Sequence, residues 1–151
     1  SLDPKMKSMY SDFMDEYLRL GHMEPVLEEF EPQKVCYIPH HGVYKEASST
    51  TKLRIVFNAA RKCNLFPSLN EHIHAGPKLQ NDLSGLILKW RFYQVAFIAD
   101  IEKCYRQIKV DDEDCDMQRI FWSDSNDNPV PFRLLTVTYG LNCSPYLTIK
   151  V

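Results

Sequence analysis

Asp100 and Tyr105 are the residues of this chain best suited to chemistry. Both lie in Ile98-Ala99-Asp100-Ile101-Glu102-Lys103-Cys104-Tyr105-Arg106-Gln107-Ile108-Lys109-Val110. The apolar run Val95–Ala99 predicts a buried strand. Such a strand would deliver the Asp100 carboxylate at its end, a rigid way to present a metal-binding oxygen. Tyr105 would face the same neighbourhood. Blander readings stand beside these. A strand-end Asp also serves as an N-cap or an ion-pair partner, and a Tyr is more often a core aromatic than a ligand contact. Glu102 and Lys103 read most simply as a solvated pair.

The elements that would position these residues are legible in outline. Met6, Tyr10, Phe13, Met14 and Tyr17 fall at helical spacing, with Gly21 where a C-terminal cap belongs, so residues 5 to 20 predict an amphipathic helix. Residues 22 to 34, with Pro25, Pro32 and four glutamates, read as a linker. Val35–Ile38 is a short apolar stretch stopped by Pro39. Val43–Lys45 and Leu53–Phe57 predict a hairpin with a polar, basic tip at Ala47–Thr51. Pro77 would open a helix whose apolar face is Leu79, Leu83, Leu86, Ile87 and Trp90. Gly85 weakens that helix by ~1 kcal/mol relative to Ala. The acidic run 111 to 116 suits a helix first turn. Ile120–Trp122 and Pro131–Val137 predict a second hairpin around the turn Asp124–Pro129. Ser144-Pro145 reads as an N-cap and first turn. A helix nucleus that stops at Val151 rarely closes a domain, so the expectation is a truncated chain or one whose core is completed elsewhere.

Composition sets wide bounds. The chain has 151 residues, 44% hydrophobic and 25% charged, ordinary for a folded protein. No run is long and apolar enough for a membrane span, and no membrane partner is expected. No apolar signal core follows Ser1, and the five cysteines (Cys36, Cys63, Cys104, Cys115 and Cys143) are dispersed, which favours reduced thiols in an intracellular protein. The net charge of −2 gives no global argument for nucleic acid. Locally, Lys45, Lys52, Arg54, Arg61 and Lys62 face one acid, Glu46. That segment is either a solvated surface or a phosphate contact. Cys36 with His40 and His41, or Cys63 with His72 and His74, would make an irregular zinc set whose spacing matches no standard pattern.

Taken in order, several segments resemble the reverse transcriptase of Bel/Pao-type LTR retrotransposons. Phe13 to Met23 resembles the segment preceding that family's fingers, and Tyr37-Ile38-Pro39-His40-His41-Gly42-Val43-Tyr44-Lys45-Glu46 the entry to them. Ser49 to Ala60, Ser68-Leu69-Asn70, Gly76-Pro77 and Gln80-Asn81-Asp82-Leu83 continue the likeness. Asp100 to Gln107 is similar to motif A, and Gln118 to Trp122 and Thr136 to Leu147 complete the series. The likeness covers nearly the whole chain.

The resemblance implies an α+β chain holding part of a right-hand polymerase fold. Residues 1–34 would be an N-terminal helix and linker, 35–91 a fingers-like segment, and 92–151 a partial palm with motifs A and B. Asp100 would be the catalytic carboxylate and, with the Ile101 carbonyl, a ligand of Mg²⁺ in a two-ion centre. Tyr105 would check the sugar and select deoxynucleotides. Arg54 and Lys45 would hold the triphosphate, and Tyr139 and Gly140 would be the motif B contact. The implied partners are an RNA or DNA template with primer, deoxynucleotides, and the remaining palm, thumb and ribonuclease H parts of a Pol polyprotein. The implied location is cytoplasmic, by analogy with particle assembly. Asn58 stands where the family usually has Asp, and no Tyr-x-Asp-Asp follows Gly140, so the chain alone is expected not to polymerise DNA. Two other readings compete: a non-catalytic nucleic-acid-binding remnant or co-opted module, and an inert product with no selected role.

Overall fold

The computed structural model describes residues 3–26, 34–47, 52–62, 66–124 and 126–151. The chain is mixed α+β, with short helices around two small antiparallel sheets. The first helix, α1 (Pro4–Arg19), begins with proline in its first turn, where a missing N–H costs nothing. It ends at Leu20, and Gly21 then takes a positive φ of 69°, the left-handed cap expected from sequence. Tyr10, Met14 and Tyr17 form its buried stripe.

Where a linker was expected, β1 (Met23–Pro25) pairs with β5 (Pro129–Leu134), which pairs in turn with β4 (Arg119–Ser123). Pro25 is tolerated because β1 is an edge strand; residues 27–33 of that stretch lie outside the described residues. The first predicted hairpin is present as β2 (His40–Tyr44) and β3 (Leu53–Phe57), with Val43 opposite Arg54. The Lys45 N–H closes it on the Lys52 carbonyl at 2.8 Å; residues 48–51 of its tip are not described. The turn between β4 and β5 is organised by Asp124, whose Oδ1 accepts from the N–H groups of Asn126 and Asn128 at 2.8 and 2.9 Å.

Three short helices lie between the sheets in sequence: α2 (Leu69–His72), α3 (Leu83–Trp90) and α4 (Asp112–Cys115). The helix expected from Pro77 starts instead after Asp82, whose carboxylate caps it by accepting from the Gly85 N–H at 3.0 Å. A side-chain cap satisfies an orphan donor, which proline at the first position cannot do. The last helix, α5 (Ser144–Lys150), is capped at Cys143, one residue earlier than expected. Ser144 lies inside it, and its hydroxyl donates to the Thr138 carbonyl at 2.7 Å.

The larger departure is at Val95–Asp100. This run forms no strand, and Val95, Phe97 and Ile98 are 79%, 86% and 80% exposed. A strand buried on both faces needs neighbours on both edges, and none of the described strands pairs with it. Apolar composition alone does not supply that pairing. No helix among the described residues is long and apolar enough to cross a membrane.

The core lies where α1 covers the two sheets. Met14, Phe57, Ile120 and Leu134 are fully buried there. Beneath it Gln118 donates through Nε2 to the Leu134 and Thr136 carbonyls at 2.8 and 3.0 Å. Arg119 Nε donates to Asp116 Oδ1 at 2.7 Å, an ion pair in which both residues are buried. Breaking a buried pair of this kind costs about 3–5 kcal/mol, because it strands a charge.

His40 ties α1 to β4. Its Nε2–H donates to the Phe121 carbonyl at 2.8 Å, so Nδ1 accepts from the Tyr10 hydroxyl. Burial holds the ring below the ordinary 6.5, only partly offset by the Phe121 bond. Burial lowers His22 as well, helped by the charges of Arg106 and Lys103. Both imidazoles therefore resist protonation in the fold and accept it once unfolded. Their contribution to stability is complete above about pH 6.5 and is lost as pH falls through that value towards the folded pKa. The urea midpoint should drop between about pH 7.5 and pH 5.5, and His40→Gln should reduce that drop. A midpoint equally flat in both proteins would refute the assignment.

Candidate functional site

Glu16, Arg54, Asp100, Lys103, Arg106 and Tyr139 line one cavity of about 650 Å³, with Phe13 and the edge of β3 as its apolar wall. Four separate stretches of chain supply it. β3 alternates inward Leu53, Ile55 and Phe57 with outward residues, so Arg54 stands on its exposed face. Asp100 ends the exposed 95–100 segment. Lys103 precedes a 3-10 turn (Cys104–Gln107) and has a positive φ of 52°. A left-handed backbone at a long side chain costs about 1–2 kcal/mol, and here it accompanies a Lys103 ammonium that reaches α1.

Tyr105, in that 3-10 turn, is half-buried and meets the Tyr139 ring edge-on at 5.5 Å between centroids. Edge-to-face contact is a favoured aromatic geometry. Tyr105 thus stands behind Tyr139 rather than in the cavity wall. Tyr139 and Gly140 are held by two asparagines. Asn70 Nδ2 donates to the Gly140 carbonyl at 2.8 Å, and Asn142 Nδ2 donates to the Asn70 and Ile73 carbonyls at 2.8 and 3.1 Å.

The predicted site residues separate into two groups. Asp100, Arg54 and Tyr139 come together, with Tyr105 one contact away. Lys45, Ile101 and Gly140 do not line the cavity. Lys45 is exposed beyond β2, and the Ile101 side chain is largely exposed. Gly140 has its own structural reason. Its φ is +92°, and a Cβ there would lie 1.9 Å from the Phe57 carbonyl oxygen. No side chain fits against a backbone at that distance, so packing alone demands glycine.

Sequence reasoning missed Glu16 and Arg106, and took Lys103 for half of a solvated pair. The Lys103 ammonium is 2.5 Å from Glu16 Oε1 and only 3.9 Å from Glu102 Oε1. Arg106 Nη1 donates to the same Glu16 oxygen at 3.0 Å. The Arg106 guanidinium lies over the rings of Tyr17 and Phe13, 4.2 and 5.1 Å from their centroids. The hydrogen bond from Lys103 holds the Glu16 carboxyl below the usual range; burial opposes it, and the charges of Lys103 and Arg106 add to the lowering. Burial pushes the Tyr17 hydroxyl up to about 12. The one local signal was a Glu beside the apolar stripe of α1.

The donor set does not by itself fit a two-ion centre. Glu16 is engaged with two cations, which leaves Asp100 as the cavity's other carboxylate, and two Mg²⁺ ions require several oxygen ligands. Among the described residues no group of three His, Cys, Asp or Glu side chains is placed to hold a metal ion. His40, one candidate for an irregular zinc set, is engaged with Tyr10 and Phe121. Cys36, Cys104, Cys115 and Cys143 are free thiols, and Cys63 lies outside the described residues. A second cavity of about 300 Å³, walled by Leu69, Ile73, Val137 and Leu147, contains none of the predicted site residues.

No protein-family model matches the chain, and no curated protein matches it.

Gly140→Ala should lower stability by at least about 2 kcal/mol, through the positive φ and the blocked Cβ together. The measurement is the urea midpoint without any ligand. An unchanged midpoint would return Gly140 to a purely ligand-facing role.

Proposed function

We propose that this chain is the fingers and first palm portion of a reverse transcriptase of the Bel/Pao retrotransposon type, and that its cavity receives a deoxynucleoside triphosphate. The observation that carries the reading is the convergence of Arg54, Asp100 and Tyr139 on one cavity, with Tyr105 packed against Tyr139. These residues come from three motifs that are distant in sequence, and the resemblance gives all of them to one substrate.

In this reading each residue does a task its chemistry suits. Arg54 extends from a paired strand, and its guanidinium offers a planar fork that can hold phosphate oxygens bidentately. Tyr139, backed by Tyr105, gives an aromatic wall for the sugar. Asp100 brings one carboxylate to the reacting end. A bound pair of Mg²⁺ ions would supply activation of the primer hydroxyl and stabilisation of the leaving group. The further carboxylates needed to hold those ions would come from the remaining palm, with template and primer bound in the assembled polymerase. Catalysis would then rest on positioning and electrostatics.

A second reading, a non-catalytic nucleic-acid-binding module, draws on the exposed cations Lys45, Lys52, Arg54 and Arg61 along and after the β2–β3 hairpin. It places Arg54 on a backbone phosphate and asks nothing of Tyr105.

Calorimetric titration of paired deoxy- and ribonucleoside triphosphates into the chain separates the two. The first reading expects tighter deoxynucleotide binding, a loss of about tenfold on Arg54→Ala, and near-equal affinities for the two sugars on Tyr105→Ala. Equal affinities already in the parent protein would overturn it.

A further inference from the structure

Two of the three cations of this cavity already share an anion. Glu16 Oε1 alone accepts from both the Lys103 ammonium and Arg106 Nη1. That arrangement leaves much of the cationic surface unmet. A guanidinium carries five N–H donors in a fixed fork, and Arg106 is only 7% exposed, so water does little for the remainder. Its Nε makes no well-formed hydrogen bond, and its remaining neighbour is the neutral Tyr17 hydroxyl, which also interacts with Thr138. The guanidinium cannot swing away to find partners, because the Phe13 and Tyr17 rings hold it. A buried guanidinium whose charged partner is a single oxygen shared with Lys103 is a poor end state.

The charge count points the same way. Arg54, Lys103 and Arg106 face Glu16 and Asp100 in the cavity, three cations against two carboxylates. Without Glu16 the balance rises from +1 to +2. Glu16 is also the member best able to leave. It projects from the C-terminal half of α1 and is one-third exposed, whereas the Arg106 side chain is 6% exposed. The left-handed backbone at Lys103 fits a residue held in place for a purpose, since such strain persists only where the surroundings impose it.

We propose that Glu16 is an internal counter-anion, and that Lys103 and Arg106 form the seat a polyphosphate takes when it displaces Glu16. An anion with several oxygens meets more of the Arg106 fork than one carboxylate oxygen can. The seat lies in the same cavity as Arg54, so one extended polyanion can reach all three cations. α1 then does more than cover the core. It supplies a competitor that excludes stray monoanions and gives way to a ligand of higher charge. The proposal rests on the nucleotide reading for the natural ligand, a triphosphate, but the seat itself does not require that reading.

The test is calorimetric titration of tripolyphosphate, in metal-free buffer, into the parent chain and two variants. Glu16→Gln keeps the shape of the side chain and removes its charge. It should bind about tenfold more tightly than the parent, a modest value for removing one partly screened like charge. Lys103→Met removes one arm of the seat at a partly exposed position and should bind several-fold more weakly. Circular dichroism checks both folds, and if Glu16→Gln does not fold, the Lys103→Met comparison decides. A Glu16→Gln chain that binds no better than the parent, or a Lys103→Met chain that binds as well, overturns the proposal. Tripolyphosphate has no sugar or base. Gain on Glu16→Gln without deoxynucleotide preference therefore keeps the seat and removes the polymerase reading. Deoxynucleotide preference with an indifferent Glu16→Gln does the reverse.

Discussion

Three stretches of chain meet on the ring of Tyr17, which is almost completely buried. Phe57 of β3 lies 5.9 Å away between centroids, Phe13 of α1 lies 4.7 Å away, and the Arg106 guanidinium covers a face at 4.2 Å. A cation over an aromatic face gains most when both are withdrawn from water. This contact fixes α1 on the hairpin and sets the position of the 3-10 turn that carries Arg106. The Phe57 carbonyl beneath it closes against Gly140, and so sets the approach of the loop bearing Tyr139. The cavity is what remains between these fixed points. Its floor is hydrophobic packing, and its rim is charge.

The rim depends on the floor in a specific way. Exposed ion pairs contribute little, because water screens them and long side chains lose freedom in forming them. The pair between Lys7 and Asp127, both largely exposed, belongs to that class. Arg106 differs because aromatic rings have already immobilised it and excluded most water. Glu16 lies one helical position before Tyr17, so the packing that buries one residue aims the other. The asparagine pair Asn70 and Asn142 performs the matching task for the opposite wall. It joins α2 to the loop after Tyr139 through hydrogen bonds that satisfy both backbones.

Local pattern carried α1 and both hairpins into view, because helical spacing, strand alternation and turn residues are read within a few neighbours. Helix starts were harder. Pro77 was a good first-turn residue, but Asp82, five residues on, offers an actual hydrogen bond to Gly85. The 95–100 run failed for a different reason. Strand formation is a property of a pair of segments, and one apolar segment cannot specify its neighbour. Of the cavity lining, Arg54 and Tyr139 were named through motif order alone, and Asp100 also through a strand that does not form. Glu16 was not, since its partners lie 87 and 90 residues away. Gly140 was legible as a glycine, yet the packing reason for it appears only when Phe57 is seen beneath it.

The exposed segment from Phe92 to Ala99 carries no charge, no glycine and no proline. A backbone of that composition outside any described sheet is a template for another like itself, and identical neutral strands stack in register without repulsion. The net charge of −2 is spread elsewhere on the surface and does nothing to keep two such segments apart. The shelf life of a solution of this chain would therefore be governed by eight residues that take no part in its core. A single lysine placed at Val95 or Phe97 would act as a gatekeeper, without touching any residue of the cavity.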